Sequence, residues 1–133
     1  MDRLFLDANV LFSAAYREGA GLVGLWKLRG AHVITSRYAV AEAKRNLLTE
    51  EQRSRLDSLL VNTEVVEEVD ERTFDDEHRL PSKDRPILRA AVNARATHLV
   101  TGDATHFGHF YGQRLQGVLV VTPGDYLRSR KKV

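Results

Sequence analysis

The sequence predicts an α/β fold: a compact three-layer α/β/α domain around a central, mainly parallel sheet of four to five strands. Three observations predict it. Apolar runs of strand length recur along the chain, rich in Leu, Val or Ile. Each closes in polar or turn residues, and such unbroken runs suit parallel strands covered on both faces. Helical patterns separate them, and strands alternating with helices argue for a parallel sheet.

The first strand is "RLFLD", residues 3–7. "NVLFSAAYRE" and "GLVGLWKLRG" then read as helical, with Gly30 as a C-terminal stop. "HVITS" is the second strand, and its Ser36 is placed to cap the helix "RYAVAEAKRNL". In "TEEQRSRLDSLLVN", Thr49 and Gln52 have capping-box spacing. "TEVVEEV" is a weaker fifth strand, suited to an edge. Residues 70–83, with Pro81, read as an irregular connection. In "DRPILRAAVNARA", Ile87, Leu88, Ala91 and Val92 share one helical face. "THLVTGD" and "GVLVV" are the remaining strands, and "TPGDYLRSR" is a last short helix.

A length of 133 residues suits a single domain, 1–133, with a short basic tail at 128–133. Such a chain buries about two-thirds of its unfolded surface. There is no cysteine, which excludes disulfides, thiolate zinc sites and cysteine nucleophiles. The start, "MDRLFLDANVLF", lacks a signal-peptide layout, and no apolar run approaches the ~20 residues of a membrane span. The expectation is a cytoplasmic protein with no membrane partner.

The net charge is +2, but Arg128, Arg130, Lys131 and Lys132 lie in the tail, so the remainder carries −2. Eight carboxylates lie between Glu64 and Glu77. A basic tail suits phosphates and equally suits a solvated terminus.

In open α/β sheets, ligands bind beyond the carboxyl ends of the strands. Asp7 ends the first strand in "LFLDANV", and Asp103 follows a later one in "LVTGD". Each alone reads equally as a helix cap or a turn residue. Together they can converge. Asn9 is placed to cap the helix or to hold the Asp7 carboxylate. Asp84 opens a helix with Pro86 in its first turn, which fits an N-cap, a metal ligand or both. Glu42, amid Ala39, Val40 and Ala43, reads from its own surroundings as a surface charge paired with Arg45 or Asn46. Converging carboxylates need a cation to stay ionised. Mg²⁺ or Mn²⁺ takes oxygen ligands and keeps positions open for water and phosphate. The implied chemistry is metal-assisted hydrolysis of a phosphodiester, with attack by a metal-activated water.

"FLDANVLFSA", "AVAEAKRNL", "PSKDRPILRAAVNARATHLVTGDATHFG" and "VVTPGDYL", in this order and spacing, resemble the PIN domain. The resemblance spans most of the chain, and its most specific part runs from Lys83 to Phe107. It implies a compact α/β fold and a Mg²⁺- or Mn²⁺-dependent endoribonuclease acting on RNA. Many such proteins are toxins with an antitoxin partner. It implies acidic metal ligands at Asp7, Glu42, Asp84 and Asp103, which reverses the surface-charge reading of Glu42. It places Thr101 where a polar residue orients metal or water, and Asn9 beside the ligands. Where some relatives carry a further acid, this chain has Ala104, Thr105 and His106, so one ion is implied and a second left open. Lys44, Arg45, Lys83 and Arg85 are candidate phosphate contacts, since an acidic pocket needs nearby cations to hold RNA.

Other patterns carry less. "GAGLVG" fits G-x-G-x-x-G but does not follow a strand directly, so it reads as a turn with small packing residues. His106 and His109 with Asp103 form a metal set on paper but read as surface residues. Ser13 lacks a nucleophile-elbow setting. Two rival functions stand. A haloacid-dehalogenase-type phosphatase requires a general acid two residues after the first aspartate, where this chain has Asn9. A catalytically silent PIN-like module would bind RNA or protein without cutting. The "LFSAAY" and "LWKL" stretches offer faces for a homodimer.

Overall fold

The computed structural model describes residues 1–67 and 79–131. Most of the acidic connection between residues 70 and 83 therefore lies outside the described residues, as does the end of the basic tail.

Among the described residues there are six strands: β1 (Asp2–Leu6), β2 (Ala31–Ser36), β3 (Glu64–Val66), β4 (His98–Val100), β5 (Arg114–Leu115) and β6 (Val118–Val121). They form one sheet in the order β3-β2-β1-β4-β6-β5. All neighbours are parallel except β5 and β6. Within the weak run "TEVVEEV", Glu64–Val66 forms an edge strand. The sixth strand, β5, has two residues, too few to show any periodicity in sequence.

Consecutive Leu4, Phe5 and Leu6 are all fully buried, as are Leu99 and Val100. Successive strand side chains point to opposite faces, so both faces of the central strands are covered. The cover comes from helices α1 (Ala8–Ala15), α2 (Arg37–Asn46), α3 (Glu50–Leu60), α4 (Arg85–Asn93), α5 (Ala104–Phe107) and α6 (Pro123–Lys131). Ser36 caps α2 by accepting from the Ala39 N–H, and Thr49 and Gln52 form the full capping box of α3. Helix α4 buries Ile87, Leu88, Ala90 and Ala91 against the core. Gly21–Lys27 is a 3₁₀ helix rather than an α-helix, because Gly21 and Gly24 weaken the α-helical register. Leu11, Ala14, Ala15 and Leu25 of the expected pairing faces are spent on the core. Trp26 donates its indole N–H to Thr63 Oγ1, and Tyr16 stays exposed against the Phe12 ring. Among the described residues, no helix is long and apolar enough to cross a membrane.

One feature of this topology positions the site. From β1 the chain moves outward to β2 and β3, then returns to the other side of β1 for β4. The crevice between the carboxyl ends of β1 and β4 is therefore the point at which strand order reverses, where ligands bind in open α/β sheets.

Candidate active site

Asp7 directly follows β1, and its N–H donates to the Val100 carbonyl at 3.0 Å. That bond continues the sheet pairing by one residue and fixes Asp7 beside the end of β4. The side chain is buried and hydrogen-bonded through both oxygens. Its Oδ1 accepts from the Ala8 N–H at 2.7 Å, at the start of α1. Its Oδ2 accepts from Thr101 Oγ1 at 2.8 Å and from Asn9 Nδ2 at 3.2 Å. The cap and the site are thus one residue with its two oxygens divided between them. Burial pushes the Asp7 carboxyl up to about 6. The bonds from Thr101 and Ala8 oppose that rise, and the charges of Asp84 and Glu42 add to it.

Thr101 is fully buried. Its hydroxyl donates to Asp7 and accepts from Asn9 Nδ2 at 3.2 Å and from the Asp103 N–H at 3.1 Å. It therefore sits behind the Asp7 carboxylate and the Asp103 backbone and orients them. Asn9 closes the knot by accepting from the Gly102 N–H at 2.7 Å. Gly102 does not need a positive φ here. A Cβ on it would stand 3.3 Å from Asn9 Oδ1, so the glycine allows that close approach. The Tyr111 hydroxyl donates to the Thr101 carbonyl at 3.0 Å and braces the same turn.

Asp84 ends a 3₁₀ turn, Ser82–Asp84, just before α4. Its side chain makes no capping bond to that helix, with Pro86 in the first turn. The carboxylate instead turns into the crevice. Burial raises its pKa, His106 opposes the rise and Asp103 adds to it. Tyr38 on α2 donates its hydroxyl to the Lys83 carbonyl at 2.8 Å. This tether holds the Asp84 segment against the helix that carries Glu42. Asn46 bonds the Glu42 backbone carbonyl at 3.1 Å, not its carboxylate, so the expected Asn46 pairing does not occupy that side chain.

Asp103 is the N-cap of α5, its Oδ1 accepting from the His106 N–H at 3.2 Å. Ala104–Phe107 is thus a short helix, and the helical turn brings His106 back over Asp103. Its Nδ1 lies 2.7 Å from Asp103 Oδ2 and 3.0 Å from Asp84 Oδ2. The expectation that His106 is a surface residue is therefore corrected, while His109 is exposed. The signal available in sequence was the three-residue spacing from Asp103.

Asp7, Glu42, Asp84 and Asp103 line one cavity of about 420 Å³, together with Asn9 and Lys83. The crevice is strongly negative. Tyr38 and Tyr111 beside it have raised pKa values, from burial first and then from these acids. Lys83 lines the cavity, whereas Lys44 pairs with Asp57 at 2.8 Å and Arg85 donates to the Leu80 carbonyl at 3.2 Å. Arg45 is exposed on α2 and does not line the cavity. Of the tail cations, Arg128 pairs with Asp125 and Arg130 with Asp2.

The donor set fits a divalent cation. Asp84 Oδ2 and His106 Nδ1 are buried without a hydrogen-bond partner, although buried polar atoms are nearly always bonded. Asp84, Asp103 and His106 can each offer one ligand atom, all within 4.8 Å of one another.

The chain matches the family model of the PIN domain over residues 3–105. Among solved structures it is similar to VapBC2 from Rickettsia felis, crystallised bound to a DNA fragment from their promoter. That similarity has a TM-score of 0.65 at 18% identity, covering 90% of this chain and 98% of the other. No curated protein matches the sequence.

Proposed function

This chain belongs to the PIN domain family, and from that premise we propose that it is a divalent-metal-dependent endoribonuclease hydrolysing RNA phosphodiester bonds. The observation that carries the reading is the convergence of Asp7, Glu42, Asp84 and Asp103 on one cavity at the strand-order reversal. Burial raises two of these acids, and their mutual charge adds to the rise, so the set holds its charge best around a cation.

Asp7, Asp84 and Asp103 would hold Mg²⁺ or Mn²⁺, with Glu42 at the same cavity. When bound, such an ion lowers the pKa of a water and offsets charge on phosphate. The chain's own residues do the rest. Thr101 and Asn9 lock the Asp7 carboxylate in one orientation, so no reorganisation is needed during reaction. Lys83 reaches the cavity and is placed to receive an RNA phosphate, with Arg45 further out on α2. Lys44 and Arg85 would have to leave Asp57 and the Leu80 carbonyl to do so.

We read the protein as the toxin of a toxin–antitoxin pair, with an antitoxin protein as partner, acting in the cytoplasm. The fold similarity to the Rickettsia felis VapBC2 structure supports that assignment. A small DNA-binding protein in the adjacent reading frame that co-purifies with the chain is the expected finding. An adjacent frame without one argues for a stand-alone nuclease.

The test is cleavage of labelled single-stranded RNA by purified protein with Mn²⁺. Wild type should cut, chelator should stop it, and the Asp7→Asn, Asp103→Asn double variant should be inert. Equal cutting by wild type and double variant would sink the assignment. A folded wild type that binds RNA without cutting it would favour the silent binding module.

A further inference from the structure

Resting on the reading of the crevice as a divalent-cation site, we propose that His106 is itself a ligand of that cation through Nδ1. His106 then adds a nitrogen to the carboxylate oxygens proposed above, next to Asp84 and Asp103.

Three observations carry this. The first is spacing. Ligands at about 2.1 Å from an octahedral ion stand about 3 Å apart when adjacent. Nδ1 lies 3.0 Å from Asp84 Oδ2 and 2.7 Å from Asp103 Oδ2. The second is bonding. Both atoms are buried and lie at ion-pair distance, yet no well-aligned hydrogen bond reaches either of them. A shared cation gives both a partner at once. The third is anchoring. The His106 N–H is held by Asp103 Oδ1, and the adjacent Phe107 is fully buried. The imidazole is thus fixed over the acids by its own helix.

An imidazole in place of a carboxylate changes which ion the site prefers. Carboxylates and water suit Mg²⁺, whereas a nitrogen ligand favours later divalent ions along the series beginning with Mn²⁺. The site therefore binds Mn²⁺ or Co²⁺ in preference to Mg²⁺, and His106 sets that preference.

The experiment is pulsed electron paramagnetic resonance of the full chain loaded with Mn²⁺, alongside Mn²⁺ and Mg²⁺ titrations. Wild type should show nitrogen coupling to the bound Mn²⁺. The coupling should vanish in His106→Ala and in His106→Asp, and persist in His109→Ala. His106→Asp retains an oxygen donor, so it should still bind metal, with the Mn²⁺ over Mg²⁺ ratio reduced by about tenfold or more. Bound Mn²⁺ without nitrogen coupling in wild type overturns the ligand assignment and leaves the cation site standing. So does coupling that survives both His106 substitutions. A folded wild type that binds no Mn²⁺ overturns this assignment and the metal-dependent reading together.

Discussion

The two ends of the sheet treat charge in opposite ways. At the amino ends of the strands, acids meet bases. Glu64 lies 2.8 Å from His32 Nε2 and 3.5 Å from Arg3, and Asp2 accepts from the Tyr126 hydroxyl at 2.6 Å with Arg130 at 3.4 Å. The bond from Tyr126 holds the Asp2 carboxyl below its ordinary value. At the carboxyl ends of β1 and β4, acids crowd together with His106 as the base between two of them, and burial drives Asp7 and Asp84 up. One end is compensated within the chain and contributes to stability. The other is left negative, at a cost to the fold, and calls for a partner from outside. Perturbed acids in a crevice mark function, whereas satisfied ion pairs mark structure.

The largest expected break in that contrast is catalytic. Asp84→Asn should lower RNA cleavage about a thousandfold, equivalent to about 4 kcal/mol of transition-state stabilisation. Asp2→Asn, at the other end, should leave cleavage unchanged. Steady-state rates on one RNA substrate compare the two directly, and similar losses would erase the distinction.

Next in size is the pH dependence of stability without metal. Asp7 has a folded pKa of about 6 against an ordinary 3.8, so its ionised form is disfavoured in the fold. Stability is therefore lowest above about 6, rises as pH falls through that value, and levels off below 3.8. At 1.36 kcal/mol per pKa unit the gain is up to about 3 kcal/mol, and Asp84 shifts the same way. Asp2 has the opposite sign. Its lowered pKa contributes stability present above 3.8 and lost as pH falls through the folded value. Chemical denaturation of chelator-treated protein from pH 7.5 to 5 should show the rise, and saturating Mn²⁺ should abolish it. A flat metal-free profile would contradict the picture of repelling acids.

Smaller again is Tyr126→Phe, which removes the hydroxyl that donates to Asp2. The pair is part-exposed, so the loss should be about 1 kcal/mol of stability by chemical denaturation, with RNA cleavage intact. The smallest effect is at the rim of the crevice. Lys83→Glu should weaken RNA binding severalfold and reduce the salt slope by about one. Lys44→Glu should do less, because Lys44 is already paired with Asp57. Identical binding isotherms for wild type and Lys83→Glu would remove Lys83 from the interface.

Much of the contrast is legible in the sequence, for reasons that differ by residue. Asp7 and Asp103 stand beside strand ends, where apolar runs stop abruptly, so their convergence follows from strand order alone. Asp84 is legible as a helix start, but only the structure shows its side chain refusing the cap. Glu42 looks like an ordinary helical surface charge, because the segment it faces is distant in sequence and is held there by Tyr38. The resemblance to a family, not its surroundings, singled it out. His106 reads from sequence as a surface residue because "ATHF" has no apolar periodicity. It folds as a helix through the Asp103 cap and the burial of Phe107. Strand β5 lies below the length at which alternation can be seen, and the glycines of Gly21–Lys27 turned an expected α-helix into a 3₁₀ one.

On the proposed function, the carboxyl-end acids form one divalent-cation site. The most direct measurement is anomalous diffraction from a crystal of the wild-type chain soaked in Mn²⁺. A manganese peak is expected within ligand distance of the Asp7, Asp84 and Asp103 carboxylates. Well-ordered carboxylates with no peak among them, or a peak bound elsewhere on the chain, would contradict it.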